Sequence, residues 1–200
     1  MQAIDALTTR RSAGALTDPA PDEGALQLIF AAAVRAPDHG RLRPWRFIVV
    51  RGAARERFGE LLADHLRRTH AEVSAPTLER ERGKALRAPL IIVVAAHCNP
   101  AVAKVPPIEQ TLSAGAAAHN IMLAASALGF NAMWKTGTAA YDATVKQALG
   151  LGPTDAIVGF LYLGTEVPRR EPPHAGAAVR GEWRDLVREW HGSEPGVRAG

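Results

Sequence analysis

The chain has 200 residues, 47% of them hydrophobic, and a formal charge of +4. That is enough for one domain with a sizeable core and excludes disorder throughout. Its one cysteine, Cys98, excludes an intrachain disulfide, and with no CxxC a cysteine-rich zinc site is not expected. The cysteine usage fits a reducing cytoplasm.

Taken in chain order, "IDALTTRR" spaces Ile4, Leu7 and Arg11 helically and predicts a short helix ending near Ser12. "DEGALQLIFAAAVRA" predicts an amphipathic helix, with Asp22 as its cap and Pro37 as its stop. "FIVV" (47–50) is a short strand. "RERFGELLADHLRRTHAE" is a second clear helix, and "TLERERGKALR" reads as a solvated helical linker. "PLIIVVAA" (89–96) is an apolar run that predicts a buried strand. Residues 108–128 form the longest helical candidate, about 30 Å if continuous, with Gly129 to end it. "NAMWKTG" then predicts a strand, "YDATVKQALG" a helix and "AIVGFLYLG" (156–164) a buried strand. A Pro- and Arg-rich tail follows, with an ordered candidate at "EWRDLVREW". This order predicts a mixed sheet covered by helices.

Several chemistries lack their signatures. There is no GxGxxG after a strand, no P-loop, no HExxH, no GxSxG and no deaminase pattern. His97 and Cys98 are adjacent at a strand end, which points them apart, so no metal site is expected. No signal peptide is expected either, because no apolar run follows Arg10 and Arg11. The longest low-charge stretch, "SAGAAAHNIMLAASALGF", is alanine-rich and interrupted by His119 and Asn120, so no membrane span is expected.

Three polar elements stand out. "RRS" (10–12) puts two guanidiniums beside a hydroxyl, which suits a phosphate clamp or an ordinary solvated helix end. "RAPDHGRLRPW" (35–45) belongs to a segment, 35–57, with seven arginines against Asp38 and Glu56. Such a cationic stretch suggests an anionic ligand. Pro37 and Pro44 could hold Arg35 and His39 in place, and the alternative is a surface loop with incidental arginines. "WKTG" (134–137) sets a lysine at an apolar strand end, where it must find an anion or snorkel to solvent.

Together, "RRSAGAL", "RAPDHGRLRPWRFIVV", "RAPLIIVVAAHC", "KVPPIEQTLSAGAA", "LGFNAMWKTG" and "IVGFLYLGT", in that order, resemble the nitroreductase family of flavin enzymes, in its small bacterial YdjA-type branch. The resemblance implies an α+β sandwich: a central, mainly antiparallel sheet flanked by helices, in an intertwined homodimer with FMN at the interface. One domain would span 1–200, with 166–200 as an extended C-terminal arm. Carried over, Arg10, Arg11 and Ser12 would hold the ribityl-phosphate side of FMN. Arg35 and His39 would come from the opening loop, and Trp134, Lys135 and Thr136 would line the flavin. Ala124, Ala125, Ser126, Ala127, Leu128 and Gly129 match a segment assigned to NAD(P)H, with packing at a helix end as the other reading. Lys135 stands where the branch can carry an arginine, so charge is kept and the planar fork lost.

The implied activity is ping-pong redox chemistry in the cytoplasm. NADH or NADPH passes hydride to flavin N5, and an electron-poor acceptor, a nitroaromatic or a quinone, takes it away. No side chain is expected to be catalytic, because the flavin carries the chemistry. Lys135 would raise the flavin's potential. One rival reading is a flavin carrier or an oxygen-dependent flavin-modifying protein without reductase turnover. Another is a basic nucleic-acid-binding protein, which would lack a recognised motif. The main reading expects neither a nucleic-acid nor a membrane partner.

Overall fold

A computed structural model describes residues 3–167 and 186–190. The chain divides into two units, 1–167 and 168–200. Every helix and strand described below belongs to the first. Of the second, Leu186, Val187 and Trp190 are exposed. The first four residues of "EWRDLVREW", together with Arg169 and Arg170, lie outside the described residues.

The order is α1 (Ala3–Thr9), β1 (Leu16–Thr17), α2 (Glu23–Ala33), β2 (Trp45–Arg51), α3 (Ala54–Thr69), α4 (Ala75–Gly83), β3 (Leu90–Ala96), α5 (Pro107–Ala127), β4 (Asn131–Lys135), α6 (Ala143–Ala148) and β5 (Ala156–Glu166). Short 3-10 turns lie at His39–Arg41, Lys84–Leu86 and Thr138–Tyr141. The strands pair β2–β3–β5, and β4 and β1 share the far edge of β5, all antiparallel. The α+β architecture with an antiparallel sheet is observed, in place of the mixed sheet that the element order suggests, because element order does not set strand direction.

All seven residues of β3 are buried, because helices cover both faces of the sheet. Alternation divides them. Leu90, Ile92 and Val94 join α2 and α5 in one core, while Ile91 and Val93 join Phe58, Leu62, Phe160 and Tyr162 in the other. Each large side chain so buried contributes roughly 1.5–3 kcal/mol. Asp22 caps α2 as the sequence predicts, accepting from Ala25 N at 2.8 Å.

Three further expectations change. The first helix stops at Thr9, short of Ser12, because Ser12 bridges Ala132 and draws the chain into extended backbone. The segment read as a solvated linker is α4 plus a 3-10 turn packed on α3. Gly59 permits this approach: a Cβ there would stand 2.7 Å from the Arg82 carbonyl oxygen. Finally, β1 has no counterpart in the sequence reading.

A cationic cavity at the end of strand β4

Beyond Lys135 the chain leaves the sheet through Gly137, whose φ of 83° is left-handed and favours glycine. This turn, α3, β5 and the α4–β3 connection enclose a cavity of about 290 Å³. Leu62, Phe160 and Tyr162 supply its hydrophobic side. Lys84, Arg87 and Lys135 supply cations against one acid, Glu81, which engages Lys84. Arg87 and Lys135 make no ion pair among the described residues. The cavity therefore offers an apolar floor with two unneutralised charges at its mouth, a setting for a flat, anionic molecule.

Tyr162 is buried, and its hydroxyl has no hydrogen-bond partner among the described residues. Burial pushes its pKa up to about 12, with Arg87 opposing and Glu81 reinforcing the shift. It faces the cavity as a neutral phenol.

The residues singled out from sequence fall into separate places. Lys135 and Thr136 line the cavity. Trp134, one residue earlier, faces the opposite side of the sheet, toward the α2–α5 core. It lies over Gly159, where a Cβ would come within 2.3 Å of Trp134 Nε1. The Arg10–Ser12 segment sits at the start of β4, about 10 Å along the strand from Lys135. Arg11 grips Glu166 through two 2.6 Å hydrogen bonds, and Asn131 Nδ2 donates to the same carboxylate at 3.0 Å. Arg10 is half-buried, and Ser12 is exposed.

Arg35 and His39 lie on the α5 side. The loop that carries them is held in place, as Pro37 and Pro44 suggest. Ser113 Oγ donates to the Pro37 carbonyl at 2.6 Å and receives Trp45 Nε1–H at 3.0 Å. The Asp38 carboxylate accepts from Leu42 and Arg43 N–H, which secures the left-handed backbone at Arg41 and Arg43. His39 Nδ1 lies 2.6 Å from Glu109 Oε2. Arg35 edges an apolar groove formed by Leu7, Leu123 and Ala124 among others.

Ala124, Ala125, Ser126, Ala127, Leu128 and Gly129 form the last turn of α5 and its exit. Phe130 N donates to the Ala125 carbonyl, and Gly129 N to that of Ser126, with Gly129 at φ 87°. This is a Schellman ending, which satisfies carbonyls a helix leaves free. The arginine-rich segment does not act as one patch. Arg46 donates to the Arg43 and Trp45 carbonyls, Arg51 pairs with Glu23, and Arg55 donates to the Ala88 carbonyl. His97 pairs with Asp155 at 2.8 Å while Cys98 is buried.

Lys84, Arg87, Tyr162 and Phe160 escaped the sequence reading. Lys84 and Arg87 lay in the presumed linker, and the two aromatics looked like ordinary strand core. The available signal was a cluster of cations leading into the buried strand of 90–96.

Comparison with known proteins now places the chain. A family model described as the nitroreductase family matches residues 7–165, and the chain belongs to that family. It is 42% identical over 165 residues to an Escherichia coli K12 protein named Putative NAD(P)H nitroreductase YdjA, covering 82% of this chain and 88% of that one. Among solved structures, a nitroreductase-like family protein from Bacillus cereus superposes with a TM-score of 0.78 at 22% identity, over 96% of this chain and 97% of that one. A putative nitroreductase from Desulfovibrio desulfuricans, solved in complex with FMN, gives 0.65 at 26% identity, over 91% and 98%.

Proposed function

We propose that this protein is an FMN-dependent NAD(P)H oxidoreductase, alternating by ping-pong exchange between a nicotinamide and an electron-poor acceptor such as a nitroaromatic or quinone. The observation that carries this reading is the cavity at the end of β4, with an apolar floor beneath the unpaired cations Arg87 and Lys135, in a chain of the nitroreductase family.

The residues present fit FMN, which combines a flat aromatic ring with a phosphate. Leu62 and Phe160 would support the ring. Lys135, Thr136, Lys84 and Arg87 would hold its polar edge, and Arg10, Arg11 and Ser12 the phosphate side. Bound there, FMN would supply reversible two-electron carriage. The chain's contribution is electrostatic: Lys135 and Arg87 stabilise negative charge that accumulates on reduction, at a site shielded by the sheet. Tyr162 keeps its proton and remains a donor. For Arg11 to serve a phosphate, it would have to share or exchange Glu166.

At about 290 Å³ the cavity is at the small end for a ligand-sized site, so a further surface is needed to complete it. A second copy of the chain provides one in our reading. Ile4 and Leu7 of α1, and Ile108 and Leu112 of α5, are exposed, the last two at 63% and 64%. Leu7 lines a groove with Arg35, and Leu112 lines one with His39. Their burial in a two-fold dimer would bring the opening loop to the partner's flavin.

The test is the visible spectrum of the purified protein before and after added FMN, followed by dilution. Flavin absorbance, and release of FMN at the concentration where light scattering shows the dimer splitting, are expected. A protein that binds no flavin ends this reading. A monomer that keeps FMN fully bound ends the interfacial site and the roles of Arg35 and His39.

A further inference from the structure

A second polar chain reaches the cavity from behind. His65 lies on the inner face of α3 and is 4% exposed. Its Nε2 stands 2.9 Å from Thr138 Oγ1, and its Nδ1 lies 3.1 Å from Asp142 Oδ2, an ion-pair distance at an angle that makes no hydrogen bond. Thr138 is exposed and lines the cavity. A buried imidazole joining a carboxylate to a cavity hydroxyl is more than a core histidine needs.

Asp142 is itself firmly held. Its Oδ1 accepts from Val145 N at 2.8 Å and from Arg68 Nη2 at 3.2 Å. Burial pushes its carboxyl up, but the Val145 N–H, His65 and Arg68 together outweigh burial and hold it below the usual carboxylate range. The negative charge of Asp142 beside Nδ1 favours a proton on that nitrogen and leaves Nε2 facing Thr138.

We propose that Asp142, His65 and Thr138 form a proton relay into the cavity, with Thr138 touching the occupant and His65 as the positioning residue behind it. The proposal rests on the cavity being the redox site. It supplies what hydride transfer leaves open. A quinone that gains a hydride, originating from the nicotinamide, becomes a hydroquinone anion and needs one proton.

When His65 is an imidazolium, Nε2–H donates to Thr138 Oγ1, and the threonine proton points elsewhere, into the cavity. The Thr138 O–H bond breaks as the product O–H bond forms. The Nε2 proton moves onto Thr138 Oγ1, leaving a neutral ring whose Nδ1–H still faces Asp142. After product leaves, a hydronium ion in the open cavity gives its proton to Oγ1 while the threonine proton returns to Nε2. The relay moves protons only, and all the electrons come from the nicotinamide.

The test uses full-length protein loaded with FMN, reduced, and mixed with benzoquinone in a single turnover. Thr138→Val is expected to slow reoxidation roughly 100-fold, the low end for a lost general acid, and by more than it weakens FMN binding. Thr138→Ser should restore most of the rate. A solvent deuterium isotope effect present in the wild type should vanish in Thr138→Val and in His65→Gln. In the apo-protein, ¹⁵N spectra of the histidine rings should show His65 with Nδ1 protonated. A wild-type rate in Thr138→Val, or a His65 ring with no proton on Nδ1, overturns the relay. If the wild type binds no FMN, the functional reading fails separately, and the apo-protein spectrum alone then decides: Nδ1 protonated supports the relay, and Nδ1 bare removes it.

Discussion

The two faces of the sheet are built from the same strands and put to different uses. On one face α5 lays Ala114, Ala117, Ala118, Ile121 and Ala125 against alternate residues of β3 and β5. Small side chains let helix and sheet approach closely, and the polar groups beneath them are consumed in structural bonds such as Trp45–Ser113–Pro37. On the other face the contacts come from larger and more irregular groups: Phe58, Leu62, Phe160 and Tyr162. There the covering helices stop short of the end of β4, and the cavity remains. Tight packing serves rigidity on the first face, while incomplete cover leaves charged side chains free to meet a ligand on the second.

The largest effect should come from the packed face. Ile121→Ala, at a fully buried site, is expected to cost about 2–5 kcal/mol. Urea unfolding measures it, and a cost under 1 kcal/mol would mean that this face repacks easily and the contrast is false. The cavity face should instead show itself in alkali. Tyr162 ionises at about 12 when folded, against about 10 when unfolded. Between these values the unfolded state holds fewer protons, so stability falls as pH rises. The contribution is fully present below about pH 10 and is lost through pH 12, amounting to about 2–3 kcal/mol. Tyr162→Phe should flatten that alkaline slope, and an unchanged slope would show that the phenol is not buried.

Ligand effects come next. Arg10→Ala or Arg11→Ala is expected to weaken FMN binding by about 1.5–3 kcal/mol, with the double variant still folded. Arg11→Ala also frees Glu166 from its two-bond partner, so Arg11→Ala with Glu166→Gln separates lost attraction from newly exposed repulsion. Unchanged affinity in the double arginine variant would leave the cavity cations as the whole of the site. The smallest change in binding is expected for Lys135→Met, which keeps the apolar stem. The bound flavin's reduction potential should fall while affinity shifts by less than about 1 kcal/mol. An unchanged potential would place Lys135 away from the charge that reduction creates.

Elements with a long periodic signature were legible. The spacing over residues 108–128 matches α5 (Pro107–Ala127), and the apolar run of 89–96 matches β3. The two residues of β1 carry no period at all, and pair with β5 only because the chain ends have met. The α4 segment is charged around its circumference, and its docking on α3 depends on an absent side chain, Gly59. Of "WKTG", Lys135, Thr136 and Gly137 line the cavity, whereas the motif suggested that Trp134 and Lys135 line one place. Strand alternation puts them on opposite faces.

Sequence alone determined the composition of the core, the helix and strand order, and the family, because these depend on local periodicity and on motifs in a fixed order. Only tertiary structure could decide which polar groups meet. Lys84, Arg87, Lys135 and Tyr162 come from three segments separated by tens of residues, and they share a cavity because β5 pairs with β4 on one edge and β3 on the other. His65 and Asp142 are joined in the same way, by packing of α3 against α6 rather than by any spacing along the chain. Long-range pairing brings these groups within hydrogen-bonding distance, and no local pattern encodes it.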